Sequence, residues 1–291
     1  MRFSLVVATL GRDTEVGELL DSLLAQGRTD FEVIIVDQND DDRLGPIEAT
    51  YAPCMTVRRL RSPVRGANHA RNLGLRHARG EIVTFPDDDC LYPPDVLAHV
   101  DRAFRATPAM HVLTGPAASP EGGLGSGRWR LESGPIDLSN VWTSVIEFNL
   151  FLRRETALTL GGFDEGMGPG SPFGSAEGND LVCRAMAKGL AARYDADLRI
   201  IHPDKRLSEV AIERAERYGR GLGFALTRNG APLSIRGNFL IRPLGGVAVS
   251  LLRGRLHDAG YYFMTFRGRL AGMLAREARK PATVAALSEA E

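Results

Sequence analysis

The chain of 291 residues is poor in cysteine: Cys54, Cys90 and Cys183 are odd in number, widely spaced and without a CxxC pair. That excludes a disulfide framework and a cysteine zinc site, and it fits a reducing compartment. Neither sign of charge is in excess, since Lys+Arg and Asp+Glu each total 36, so no global field points to a nucleic-acid partner. No apolar run approaches the ~20 residues that a membrane-spanning helix needs. The longest candidate, residues 244–252, follows Arg242 and Pro243 directly. The N-terminus has one Arg and a short apolar run ending at Leu10, without the longer apolar region and small-residue cleavage site of a signal peptide. It reads as a first strand, and a cytoplasmic location is the expectation. Two nucleotide signatures are also missing. No GxGxxG follows the first strand, and no GxxxxGK followed by Ser or Thr occurs.

What is present is a globular balance of 44% hydrophobic and 25% charged residues, enough for a sizeable core. Residues 3–9 (FSLVVAT) form a continuous apolar, β-branched run, as in a strand buried on both faces. Val16, Leu19, Leu20, Leu23 and Leu24 then share one helical face, closed by Gly27. A second strand, residues 31–36, ends at Asp37, completing a βαβ unit with a right-handed crossover. The alternation continues: strand 55–60, helix 67–78, strand 81–85, a helix opened by Pro93 and Pro94, and strand 110–114. After a Gly/Ser/Pro-rich loop over 116–134 come a strand over 145–152 and a helix over 155–160. A glycine-rich loop over 161–174 leads to a helix over 177–188, and residues 198–201 read as the last sheet strand. This order predicts an α/β fold, a Rossmann-like sheet covered by helices, with ligands outside the carboxyl ends of the strands.

Residues 233–281 differ in character. They hold nine Arg/Lys against Asp258 and Glu277, with Tyr261, Tyr262, Phe263 and Phe266 among them. We read three units: residues 1–205 as the α/β domain, 206–281 as a helical C-terminal extension, and 282–291 as a flexible tail. The basic segment has two readings, ordinary helices with a solvated cationic face or a contact with an anionic membrane surface.

Four clusters can carry chemistry. Asp87, Asp88 and Asp89 sit at a strand end, where adjacent carboxylates repel unless a cation or many donors compensate. They suit Mg²⁺ or Mn²⁺ with phosphate oxygens, or form a solvated turn before the next helix. Asp37 can accept from a ribose or base edge, or act as a turn residue beside Asp40, Asp41 and Asp42. Residues 66–74 (GANHARNLG) put Arg71 near a helix start, where it can meet phosphate or form a structural ion pair. Glu177 and Asp180 share one face at a helix start after a glycine-rich approach. His202, at a strand end, is a ligand candidate for metal or phosphate, or a structural residue.

In order, VVATLGR, VDQND, GANHARNLG, FPDDD, GGFDE and the acids before the 177–188 helix resemble the family 2 glycosyltransferases of the GT-A fold, over roughly residues 1–205. The resemblance implies a GT-A-type, mainly parallel sheet and an inverting, metal-dependent transferase. It implies that Asp37 binds the nucleotide base with Thr9 and Arg12 nearby, that Arg71 helps hold the nucleotide, and that Asp87 to Asp89 are a DxD element. Within that element Asp87 and Asp88 face the nucleotide and Asp89 a Mg²⁺ or Mn²⁺ ion, with His202 as a further metal candidate. Glu177 would be the general base, with Asp180 as the alternative. The implied partners are a nucleotide-sugar donor, most simply a UDP-sugar, and a saccharide or lipid-linked glycan acceptor. One departure stands out. The family usually has Glu-Asp at the base position, and here it reads Glu177-Gly178. A sugar nucleotidyltransferase and a non-catalytic nucleotide-sugar-binding protein remain alternatives.

Overall fold

The computed structural model describes residues 1–125, 127–203 and 212–275. The first half alternates as β1 (Phe3–Thr9), α1 (Thr14–Leu24), β2 (Phe31–Asp37), α2 (Gly45–Tyr51), β3 (Thr56–Arg61), α3 (Ala67–His77), β4 (Ile82–Thr84) and α4 (Val96–Ala106). It continues through β5 (Met110–Thr114), β6 (Ala117–Ala118), β7 (Gly134–Pro135), β8 (Leu150–Arg153), α5 (Arg154–Thr159), α6 (Glu177–Ala187), β9 (Ala191–Tyr194) and β10 (Ile200–Ile201). Three long helices follow: α7 (Ile212–Arg228), α8 (Leu233–Leu252) and α9 (Leu256–Leu274).

The main sheet runs β3-β2-β1-β4-β8-β5-β9-β7. β1 is parallel to β2 and β4, β2 to β3, and β5 to β9, while β8 is antiparallel to β4 and β5. The buried strands β1 and β2 serve two cores because successive side chains alternate faces. Val6, Ile34 and Val36 point into one, and Leu5, Val7, Val33 and Ile35 into the other. α1 covers the second with Val16, Leu19, Leu20 and Leu23, each burial worth about 1.5–3 kcal/mol. Leu24, expected on that face, is exposed, having rotated off it at the last turn.

Two expectations are corrected. Residues 198–201 do not extend the main sheet: β10 pairs with β6 in a separate two-stranded sheet. The place beside β5 belongs to β9, whose short sequence AARY alternates exposed and buried and gives no long apolar run. The strand expected over 145–152 begins only at Leu150. Before it a 3₁₀ turn spans Glu147–Asn149, held where the buried Asn149 amide donates to the Pro116 and Leu198 carbonyls.

The C-terminal helices join the core rather than hanging from it. Phe224, Ala225 and Leu226 of α7 belong to the same buried cluster as the α6 and β8 side chains. α7 and α9 cross backbone to backbone: a Cβ at Gly223 would lie 2.1 Å from the Arg269 carbonyl oxygen, and one at Gly272 2.1 Å from that of Arg220. The boundary expected at residue 205 and the tail expected over 282–291 lie outside the described residues.

Candidate active site

The sequence GANHARNLG becomes α3, and its residues divide into two jobs. Asn68 and Asn72, one turn apart, face the loop after α5. Asn68 Nδ2 donates to the Asp164 and Met167 carbonyls, and Asn72 clamps Phe163 through both its N–H (2.8 Å) and its C=O (2.9 Å). GGFDE is thereby explained: Gly162 has φ +71°, and a Cβ there would lie 2.2 Å from Asn72 Oδ1. Gly74 packs on β1, with no room for a side chain against Val6. Arg71 points the other way, into a cleft, with the Phe163 ring beneath its guanidinium.

That cleft, about 700 Å³, opens at the C-terminal rim of β1 and β4. Arg12, Arg71, Asp87, Asp88, Asp89, Phe148 and His202 line one part, and Arg214, Tyr218 and Tyr261 from α7 and α9 line another. Arg71 is 5% exposed in its side chain and bonds Asp87 Oδ1 at 2.8 Å and Glu177 Oε1 at 3.2 Å. Burial works against its charge, but Asp87, Glu177 and Glu147 outweigh that and hold its pKa above the ordinary arginine value.

The aspartate triplet splits. Asp88 and Asp89 both pair with Arg12, at 2.8 and 2.5 Å. Burial raises the Asp88 carboxyl pKa despite that arginine. Asp87 and Asp89 converge instead with His202, offering ligand atoms within 4.8 Å of one another. The His202 Nδ1 lies 2.9 Å from the Pro203 carbonyl, and its Nε2 faces Asp89 Oδ1, 3.4 Å away. Phe148 stacks on the ring at 4.6 Å and fixes its plane. Two carboxylate oxygens and one oriented imidazole nitrogen fit a divalent cation such as Mn²⁺. The sequence reading set Asp87 with the nucleotide residues; here it stands with Asp89 and His202.

Of the other expected residues, Asp37 and Asp180 lie apart, while Thr9 sits beside Asp88, whose pKa its hydroxyl works to lower. Asp37, fully buried, accepts from Asn39 N at 2.9 Å and faces Arg59 at 3.4 Å, and Thr9 is its register partner. Neither is among the residues lining the cleft. Asp180 faces away from it: its carboxylate, fully buried, accepts from Arg184 (2.8 Å) and Asn229 (3.0 Å) and ties α6 to the end of α7. It does not meet Glu177 in one site, although the two share a helical turn. Glu177 is 3% exposed, and burial, then the nearby Glu147 carboxylate, push its pKa up to about 8.

Sequence reasoning missed Glu147, Arg214 and Tyr218. Glu147 had a signal, as a lone acid inside an apolar run. Tyr261, one of the aromatic residues of the basic segment, lines the cleft.

The sequence profile of "Glycosyl transferase family 2" matches residues 4–157, just over half of the chain. An uncharacterized glycosyltransferase of Haemophilus influenzae is 34% identical over 114 residues, 39% of this chain and 38% of that protein. The poly(ribitol-phosphate) beta-N-acetylglucosaminyltransferase TarS of Staphylococcus aureus is 34% identical over 93 residues, 31% of this chain and 16% of that protein. The chain thus spans well under half the length of these relatives. Among solved structures, mannosyltransferase PcManGT from Pyrobaculum calidifontis in complex with GDP-Man and Mn²⁺ has a TM-score of 0.67 at 18% identity, covering 94% of this chain and 87% of that one. S. aureus TarS 1–349 in complex with UDP-GlcNAc has a TM-score of 0.62 at 17% identity, covering 94% and 92%. These likenesses establish the GT-A-type α/β fold, and with the profile match over residues 4–157 the chain belongs to glycosyl transferase family 2.

Proposed function

We propose that this protein transfers a glycosyl group from a nucleoside diphosphate sugar to a hydroxyl of a saccharide or lipid-linked glycan, with inversion and with a divalent cation. The observation that carries this is the convergence of Asp87, Asp89 and His202 at the mouth of a cleft that also holds Arg12 and Arg71. The solved relatives bind a nucleotide sugar, UDP-GlcNAc in one and GDP-Man with Mn²⁺ in the other. Mn²⁺ or Mg²⁺ would be held by Asp87, Asp89 and His202. When bound it neutralises the charge that develops on the departing diphosphate. Arg71, buried and fixed by Asn68 and Asp87, is preorganised for the same anionic group without moving. Arg12 holds Asp88 and Asp89 in place until the donor arrives. Asp37 and Thr9, at the rim of β2 and β1, are the nearest groups for the nucleoside. The proton of the attacking hydroxyl goes to the carboxyl pair beside Arg71, formed by Glu177 and Glu147.

Calorimetry tests this directly: UDP- or GDP-sugars bind more tightly with Mn²⁺ than without, and His202→Ala loses most of that gain. Slow release of nucleoside diphosphate separates a transferase from a binding protein. Donor affinity indifferent to the cation in the wild type overturns the metal-dependent reading.

A second reading concerns the acceptor. No helix among the described residues is long and apolar enough to cross a membrane. Yet Ile241, Leu251, Leu252, Leu256 and Phe263 are exposed on α8 and α9, with Arg242, Arg253, Arg255 and Arg267 exposed among them. Apolar side chains interleaved with cations suit a peripheral contact with anionic lipid, where a lipid-linked acceptor resides. Salt-sensitive co-sedimentation with phosphatidylglycerol vesicles, absent with phosphatidylcholine alone, is the expected result.

A further inference from the structure

Gly178 stands where the resemblance calls for a second acid, and the space its side chain would take is already filled. A Cβ at Gly178 would lie 2.9 Å from Glu147 Oε1, and the Gly178 N–H donates to that same oxygen at 3.0 Å. The carboxylate at this point therefore arrives from the opposite side, from the 3₁₀ turn ahead of β8 rather than from α6. Its sequence neighbours Ile146 and Phe148 both line the cleft, and Phe148 stacks on His202. Glu147 is half-buried, whereas Glu177 is 3% exposed and engaged with Arg71.

The surroundings divide the labour between the two acids. Glu147 accepts an N–H in the first turn of α6, where the helix dipole favours a negative charge. The groups acting on the pair are Arg71 from α3, Asp87 after β4 and Tyr218 from α7. Burial raises the pKa of both acids, and Arg71 works against that rise. Two neighbouring carboxylates do not readily ionise together; Glu177 is the more deeply buried, and Glu147 has the helix N-terminal N–H of Gly178 to hold a charge.

We propose that Glu147 is the catalytic base, the carboxylate that takes the acceptor proton, and that Gly178 is glycine because Glu147 needs its space. This rests on the transferase reading above. As the acceptor oxygen bonds to the anomeric carbon, its proton passes to Glu147. The bond from that carbon to the diphosphate oxygen breaks, and the electron pair leaves with the nucleoside diphosphate. Glu177, linked to Arg71, is a positioning residue in this scheme.

The test uses the full chain with Mn²⁺ and a panel of UDP-, GDP- and dTDP-sugars, with water as acceptor, reading nucleoside diphosphate release and donor affinity separately. Glu147→Gln is expected to lower the release rate at least about 100-fold with donor affinity unchanged. Glu147→Gly with added formate should recover part of the rate, because a small carboxylate can enter the vacated space. Gly178→Ala, which crowds Glu147, should lower the rate while leaving donor affinity intact. A wild-type rate in Glu147→Gln overturns this assignment alone, as does loss of donor binding in that variant or a Glu147→Gly variant indifferent to formate. Wild-type protein that binds a donor but never releases the diphosphate also overturns it, leaving a binding protein. Wild-type protein that binds none of these donors overturns the transferase reading, and this base falls with it.

Discussion

Asn72 grips the backbone of Phe163 from both sides, accepting its N–H at 2.8 Å and donating to its carbonyl at 2.9 Å. The two residues are 91 positions apart in the chain, so this single amide pins the loop after α5 onto α3. Asn72→Ala leaves a buried N–H and C=O without partners. The expected loss is about 2–4 kcal/mol in urea unfolding, roughly 1–2 for each orphaned group. Gly162→Ala should be comparably damaging, because it forces a side chain into a left-handed backbone (φ +71°) and against the same amide.

Asp180 makes the opposite kind of prediction. Its carboxylate bridges Arg184 and Asn229 with no exposure, so its role is to hold α6 to α7. Asp180→Ala should cost about 3–5 kcal/mol of stability, as removal of one partner from a buried ion pair does. Nucleoside diphosphate release per folded molecule should stay near the wild-type value. A folded Asp180→Ala protein without turnover would return Asp180 to the list of candidate bases.

Glu177 gives a pH signature. Its pKa is raised to about 8, by burial first and by Glu147 second, from an ordinary value of 4.5. Below the ordinary value the group is protonated in both folded and unfolded chains and has no effect. Between the two values the unfolded chain releases the proton while the folded chain keeps it, so stability falls as pH rises, by about 1.4 kcal/mol per unit of pH for a fully retained proton. Above the raised value the loss is complete. Glu177→Gln removes this loss. Its melting temperature relative to wild type should therefore climb steadily between mildly acidic and mildly alkaline pH, and a difference independent of pH would exclude the raised carboxyl.

The thiols are separable by labelling. Cys90 and Cys183 are buried, and burial pushes the Cys90 thiol well above its usual range and that of Cys183 up to about 12. Cys54 is exposed. Since the thiolate is the reactive form, native protein should take up one maleimide per chain, at Cys54, and three only after unfolding. Fast labelling of Cys90 would mean that the segment after the aspartate triplet opens readily.

Much of the architecture could be read from the sequence because the central parallel strands are buried on both faces and so appear as mostly apolar runs. β1 and β2 are such cases. The short strands β6, β7 and β9 were not legible. β9 has only alternate burial to mark it, and β10 finds its partner through the fold rather than through its own pattern. The acids at the rim of β4 announced themselves as an adjacent triplet, although only folding reveals that Arg12 takes two of them and His202 faces the first and third. Glu147 escaped notice because its meaning is relational: it matters through a glycine 31 positions away.

The cleft wall built by Arg214, Tyr218 and Tyr261 lies wholly outside the stretch that the family profile covers. Grafting the first 157 residues onto the remainder of another member would therefore transplant Asp87 and Asp89 and leave behind His202 and the aromatic wall. On the proposed function such a hybrid keeps part of the donor site and exchanges the wall beside it, so its choice of acceptor should follow the part it was given.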